Sequence, residues 1–218
     1  MGDAWNYFFD HRAEIQDWTG TTLWLAVLPV AIGLVLSLPV GWLAYRYRWS
    51  YPPIISGAGL LYTIPSLVLF VSLPGLLGTK ILDPINVAVA LTVYTFALLV
   101  RIVADGLLSV APATLDAAAA MGYTTFQRLV KVQLPIAVPV IGAGLRVAAV
   151  SNVSLISVAS AIGVTQLGNL FVEGFRQGRT PPTIVGLVLF IVIAVVFDAA
   201  ILLGIRLLTP WRRAVAAR

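Results

Sequence analysis

Asp116-Ala117-Ala118-Ala119-Ala120-Met121-Gly122-Tyr123-Thr124-Thr125-Phe126-Gln127-Arg128-Leu129-Val130-Lys131-Val132-Gln133-Leu134-Pro135 lies between two long apolar runs. Upstream, Pro112 suits the first position of a helix, with Ser109 or Ala111 before it. The alanine run is a strong helix former. Gly122 interrupts it and permits a sharp turn or a close approach by another backbone. A second helical piece follows, and Leu134-Pro135 opens the next apolar run. The spacing predicts a short helix–turn–helix at a membrane surface, whose small side chains leave a smooth knob that can dock into a groove. Composition alone does not separate that reading from a well-formed connecting loop.

The surrounding chain explains why a membrane surface is expected. Of 218 residues, 60% are hydrophobic and 11% are charged, with a mean hydropathy of +0.97. Globular chains carry about 25% charged residues, so this one has too few to build a soluble surface. Disordered, collagen-like, disulfide-rich and coiled-coil classes fail on the same numbers. A helix crosses the hydrocarbon core with about 20 apolar residues. Leu23–Ala44 supplies such a run and ends in the basic and aromatic anchor Tyr45 to Trp49. A second run, Tyr51–Gly78, has its usable helix after Pro52 and Pro53. A third starts at Pro84, capped by Asp83, and runs to Leu108. A fourth starts near Pro135, and a fifth spans Thr183–Leu208. Residues 132–172 hold either one long helix plus a short re-entrant piece or two spans; the polar and small residues of the second half favour the first. The expected class is an all-α membrane protein of about five transmembrane helices.

With the N-terminus outside, cytoplasmic segments carry eight basic residues and outer segments four, so the positive-inside rule places the C-terminus in the cytoplasm. Residues 1–20 read as an amphipathic segment at the outer interface. Residues 21–208 form one transmembrane domain with a cytoplasmic loop at 109–134, and residues 209–218 form a basic tail.

Much chemistry is excluded. There is no cysteine and no GxxxxGK[ST], so the chain carries no thiolate site and no P-loop of its own. The sole histidine, His11, sits among Asp10, Glu14 and Asp17 on what reads as a solvated helix face rather than a metal site. No histidine lies in a span to activate a serine nucleophile, so Ser151, Ser154 and Ser157 read as packing or pore-lining hydroxyls. No basic patch with interleaved aromatics points to nucleic acid. Arg101, Asp105, Arg146 and Asp198 are the charges within apolar runs, and such residues are functional candidates by default. Arg101 and Asp105 can pair at four-residue spacing; the sequence names no partner for Asp198.

The loop resembles the Glu-Ala-Ala motif of permease subunits of binding-protein-dependent ABC importers. In that family Glu-Ala-Ala is followed by three residues, Gly, nine residues, Ile, one residue and Leu-Pro. Here Asp116-Ala117-Ala118, Gly122, Val132 and Leu134-Pro135 keep every interval, with Asp in place of Glu and Val in place of Ile. Thr63 to Leu67, Gly142 to Arg146 and Ile162 to Leu170 are similar to the osmoprotectant branch, whose cargo is glycine betaine, carnitine, choline or related compounds.

The resemblance implies a type I importer permease core in a bacterial cell (inner) membrane. It implies a transport subunit rather than an enzyme, with no cofactor in this chain, ATP and Mg residing in separate ATPase subunits. Expected partners are those ATPases, a second permease subunit, an extracytoplasmic substrate-binding protein and the lipid bilayer. Asp116, Ala117, Ala118, Gly122, Tyr123, Leu134 and Pro135 would couple to the ATPase. A quaternary ammonium cargo favours aromatic faces, which makes Tyr62, Tyr94 and Phe96 candidates for the path, with Ser151, Asn152, Ser154 and Ser157 adding polar contacts. The outer stretch 165–180, with Glu173, Arg176 and Arg179, is a candidate for meeting the binding protein. The alternatives are an amino-acid-type ABC permease, or a secondary transporter or channel not driven by ATP.

Overall fold

The computed structural model describes residues 2–211, and among them every regular element is helical. The tail expected at 209–218 lies outside the described residues from 212 onward. Helix α1 covers Gly2–Asp10 and α2 covers Arg12–Arg46. A broken pair follows, α3 (Tyr51–Thr63) and α4 (Ser66–Leu77), and then α5 (Pro84–Leu108). Two short helices, α6 (Pro112–Ala120) and α7 (Thr125–Arg128), lead through a π-helical turn into α8 (Leu134–Val158). Helices α9 (Asn169–Gln177) and α10 (Thr180–Leu208) complete the chain.

Among the described residues four helices are long and apolar enough to cross a membrane, or five if α3 and α4 form one broken span. The third run begins where Asp83 and Pro84 predict: the Asp83 carboxylate accepts from the Ile85 N–H at 3.0 Å. Residues 132–172 contain one long helix, α8, a 3-10 turn and the start of α9, whose nine residues are too few to cross.

Three expectations need correction. The second run is not one helix: α3 and α4 meet at 98°. Ile64 is extended (ψ 127°) because Pro65 crowds the helical conformation of the residue before it. Pro52 and Pro53 do not delay the start; both sit in the first turn of α3, where no intrahelical N–H bond is required of them. The first helix does not start at Leu23. Helix α2 has 35 residues, about 52 Å at 1.5 Å each, and carries the polar stretch from Arg12 straight into the apolar run.

Helix α5 is the centre, 61% buried along its apolar window, whereas α10 is 17% buried and turns most of its apolar surface outward. Helix α2 lies closest to α5, and small residues set that approach. Gly33, Ser37 and Gly41 are buried at four-residue spacing, one stripe of α2. A Cβ on Gly33 would stand 2.5 Å from Thr95 Cγ2, and one on Gly41 2.6 Å from Val103 Cγ1. Membrane helices gain packing from such close contact, since lipid offers no hydrophobic drive to associate. On α8, Gly142 meets Ile205 of α10 and Gly144 meets Ile102 of α5, so adjacent faces of one helix admit two neighbours.

Candidate functional site

The quoted loop folds as a helix–turn–helix. Helix α6 starts at Pro112, with Ala111 before it providing no side-chain cap. It ends in a Schellman motif: the Gly122 N–H donates to Ala119 O (2.9 Å) and the Tyr123 N–H to Ala118 O (3.1 Å). Gly122 takes φ +84°, the left-handed conformation that only glycine adopts without cost. Thr124 then starts α7 with a capping box: its hydroxyl accepts from the Gln127 backbone N–H, and the Gln127 side-chain Oε1 accepts from the Thr124 N–H. The widened turn Leu129–Gln133 shifts bonding to i→i−5, as the Leu134 N–H donates to Leu129 O. This comes just before Pro135, whose ring crowds the carbonyl four residues back.

The seven loop residues divide into two groups. Asp116, Ala117 and Gly122 are exposed and Tyr123 is half-buried, with Lys131 over its ring at 5.9 Å. Ala118 is 1% exposed, and Leu134 packs on the cluster of Val103, Leu107, Ala137 and Ile141. Pro135 is half-buried in the first turn of α8. Ala118, Leu134 and Pro135 therefore fix the loop, while Asp116, Ala117 and Gly122 face outward. Among the described residues the Asp116 carboxylate has no ion-pair or hydrogen-bond partner. Sequence reasoning missed Met121 and Phe126, exposed at 69% and 72% beside the turn. Apolar side chains at the tip of a polar loop were the signal that could have found them. Gln133 Nε2 donates to the Tyr45 hydroxyl at 2.7 Å, tying the root of the loop to the end of α2.

The candidate pathway residues do not converge on one site. Tyr62, Tyr94, Ser151 and Asn152 line one crevice between α3, α5 and α8, with room for about one water. The Tyr62 and Tyr94 rings meet edge to face at 5.9 Å, and the Tyr94 hydroxyl donates to Ile64 O at the break between α3 and α4. Asn152 Nδ2 donates to Thr95 Oγ1 at 2.7 Å, joining α8 to α5. Phe96 lies elsewhere, on the face of α5 towards Leu36, Pro39 and Val40. Ser154 is exposed, and its carbonyl accepts from the Ser157 hydroxyl within α8.

The intramembrane charges are resolved. Arg146 and Asp198 form a two-pronged pair, Nε to Oδ1 and Nη2 to Oδ2, both at 2.7 Å, joining α8 to α10. Arg101 and Asp105 stand at 3.5 Å on α5, and the Tyr51 hydroxyl donates to Asp105 Oδ1. At the opposite end from the loop, the Tyr7 hydroxyl donates to Glu173 Oε2 at 2.8 Å, and His11 stacks on the Tyr7 ring at 4.1 Å. Burial first, and the carboxylate second, push the Tyr7 phenol up from its ordinary value. The bond therefore uses a neutral hydroxyl donor.

Helices of membrane-crossing length packed around a buried central helix define a polytopic helical membrane protein. Residues 33–206 match the binding-protein-dependent transport system inner membrane component family, and the chain belongs to it. It is the permease subunit of an ABC importer in a bacterial inner membrane, and that family comprises transport subunits rather than enzymes. The osmoprotectant import permease protein OsmW of Salmonella typhimurium is 32% identical over 90% of this chain and 92% of its own. The glycine betaine/carnitine/choline transport system permease protein OpuCB of Bacillus subtilis is 26% identical over 96% and 95%. The inward-facing MetNI methionine ABC transporter superposes with a TM-score of 0.81 at 23% identity, over 92% of this chain and 98% of that one, a likeness of fold.

Proposed function

We propose that this permease forms half of an ATP-driven import path for a small methylated-ammonium solute and that loop 109–134 receives the stroke of a separate ATPase. The observation that carries the coupling role is the exposed turn at Gly122, held between a Schellman cap and a capping box and flanked by exposed Met121 and Phe126. Rigid capping at both ends lets the turn transmit force, and the apolar tips suit a groove on a partner. Asp116 and Ala117 face the same partner, while Leu134 and the π-helical turn carry displacement into α8. The cargo class is supported by the osmoprotectant relatives. Tyr62 beside Tyr94 adds an aromatic surface next to the Ser151–Asn152 face of α8.

A second permease, identical or paralogous, completes the path, and a binding protein delivers cargo from outside. ATP and Mg are held by the ATPase, and this chain needs no cofactor. The test is reconstitution with the ATPase and binding protein in liposomes, followed by ATP-dependent uptake of glycine betaine. Phe126→Asp lowers uptake and releases the ATPase from the purified complex. Retention of the ATPase with uptake at the original rate would remove the coupling assignment.

A further inference from the structure

A cavity with charged residues in its wall lies at the end of the molecule remote from the coupling loop. It has a volume of about 360 Å³, and its wall includes Trp18 of α2, Ser160 and Gly163 after α8, and Asn169, Glu173 and Arg176 of α9. That volume is within the roughly 300–1,000 Å³ of small-molecule sites.

Its chemistry is mixed in sign. Glu173 is half-buried and held in place by the Tyr7 hydroxyl at 2.8 Å and by Gln177 Nε2 at 3.2 Å. Arg176 is exposed and has no ion-pair partner among the described residues, although Glu173 lies one turn before it on the same helix. Trp18 supplies an aromatic ring to the wall. One aromatic ring, one fixed carboxylate and one free guanidinium around a cavity of this size fit a ligand carrying both charges. The cationic head meets Trp18 and Glu173, and the anionic end meets Arg176. A simple cation would leave Arg176 unused, and a simple anion would face Glu173.

We propose that this cavity is an entry site for a zwitterionic ammonium carboxylate, occupied before the solute passes into the permease. The site rests on the cargo class given above and specifies its charge pattern. The fixed Glu173 makes the cationic pole the oriented end, and the exposed Arg176 meets the carboxylate.

The test is uptake by the reconstituted complex of permease, ATPase and binding protein, with glycine betaine as the probe. Trp18→Leu and Arg176→Gln each raise the KM by roughly 2- to 30-fold, the span of a cation–π contact or one charged contact. Trp18→Phe, which keeps an aromatic face, restores most of the affinity. The affinity of the binding protein for the Trp18→Leu complex is measured in parallel and stays at the wild-type value. An unchanged KM in both variants overturns the entry site. So does a KM rise matched by a loss of binding-protein affinity, which would make the cavity rim a docking surface. Failure of the wild-type complex to take up glycine betaine would overturn the cargo class itself, and so would be told apart from failure of the site.

Discussion

Gly122 shows why one residue type is demanded at one position. A Cβ there would meet no heavy atom within 4 Å, so space is not the constraint. The φ of +84° is, and a side chain in that region costs about 1–2 kcal/mol. Gly122→Val should therefore uncouple hydrolysis from uptake by deforming the turn, whereas Gly122→Asn, whose side chain tolerates this backbone, should keep most of the coupling. The readout is solute imported per ATP hydrolysed; equal coupling in both variants would refute the argument. Arg146 and Asp198 make a different point. Both are partly exposed and paired with two matched hydrogen bonds. Removing either partner leaves a lone charge on an apolar helix, so Arg146→Met and Asp198→Leu should each lower the Tm in detergent more than the double variant does. A double variant that melts no higher than the singles would show that the pair acts through something other than charge compensation. Tyr7 adds a pH argument. Its folded phenol titrates above the ordinary value of 10.0, so the neutral form is favoured by folding. The stabilisation is complete below that value and is lost as pH climbs through the higher folded one. Tyr7→Phe should consequently lower the Tm by the same amount anywhere between about pH 6 and 9. A difference that grows across that range would contradict the assignment.

At the scale of elements, packing depends on register between helices that sequence spacing only partly reveals. The long spans are legible because each must supply an apolar run of membrane length, and Asp83-Pro84 marks a start that the structure keeps; the last span begins at Thr180 rather than Thr183, with Pro181 and Pro182 in its first turn. The break between α3 and α4 is not legible in the same way, since a proline inside a membrane helix is often tolerated when neighbours satisfy the freed groups. Here the Tyr94 hydroxyl takes the carbonyl of Ile64 and so stabilises the break from another helix. Asp198 shows the same limit: the two charges are far apart in sequence, and only the contact of α8 with α10 brings them together. In the loop the Gly122 turn was legible from its spacing, and Thr124-Thr125-Phe126-Gln127 carried a capping-box pattern that could have been used. The stripe of Gly33, Ser37 and Gly41 leads to a direct test. Gly33→Leu or Gly41→Leu should separate α2 from α5 and sharply reduce folded yield, while Gly57→Leu, at a position where a Cβ meets nothing within 4 Å, should not. The Asn152–Thr95 bond should show a coupling of about 0.6 kcal/mol in a double-mutant cycle of unfolding, the average for such bonds in membrane helices.

The whole molecule has two chemically distinct ends. One joins α1 to α9 through Tyr7 and Glu173 and holds the cavity with Trp18. The other joins the end of α2 to the coupling loop through Tyr45 and Gln133, with Arg46 and Arg128 lining one recess there. Each end gathers residues far apart in sequence, so sidedness is a property of the assembled helices, and settling one position settles the rest. The eight-to-four excess of basic residues predicts that the Arg46–Arg128 end faces the cytoplasm. That end must face the ATPase if the loop couples, and the cavity end must then face the binding protein. The two arguments share only Arg128 and Lys131, which the charge count takes from the loop itself. The chain contains no cysteine, so single introduced cysteines report without background. In intact cells, a membrane-impermeant maleimide should label Gln177→Cys and leave Met121→Cys unlabelled until the membrane is opened. Both positions are exposed, so accessibility within the fold does not bias the comparison. The reverse pattern would turn the molecule over and place the coupling loop beyond the reach of any cytoplasmic ATPase. Labelling of both in intact cells would overturn the separation of the two ends by a bilayer.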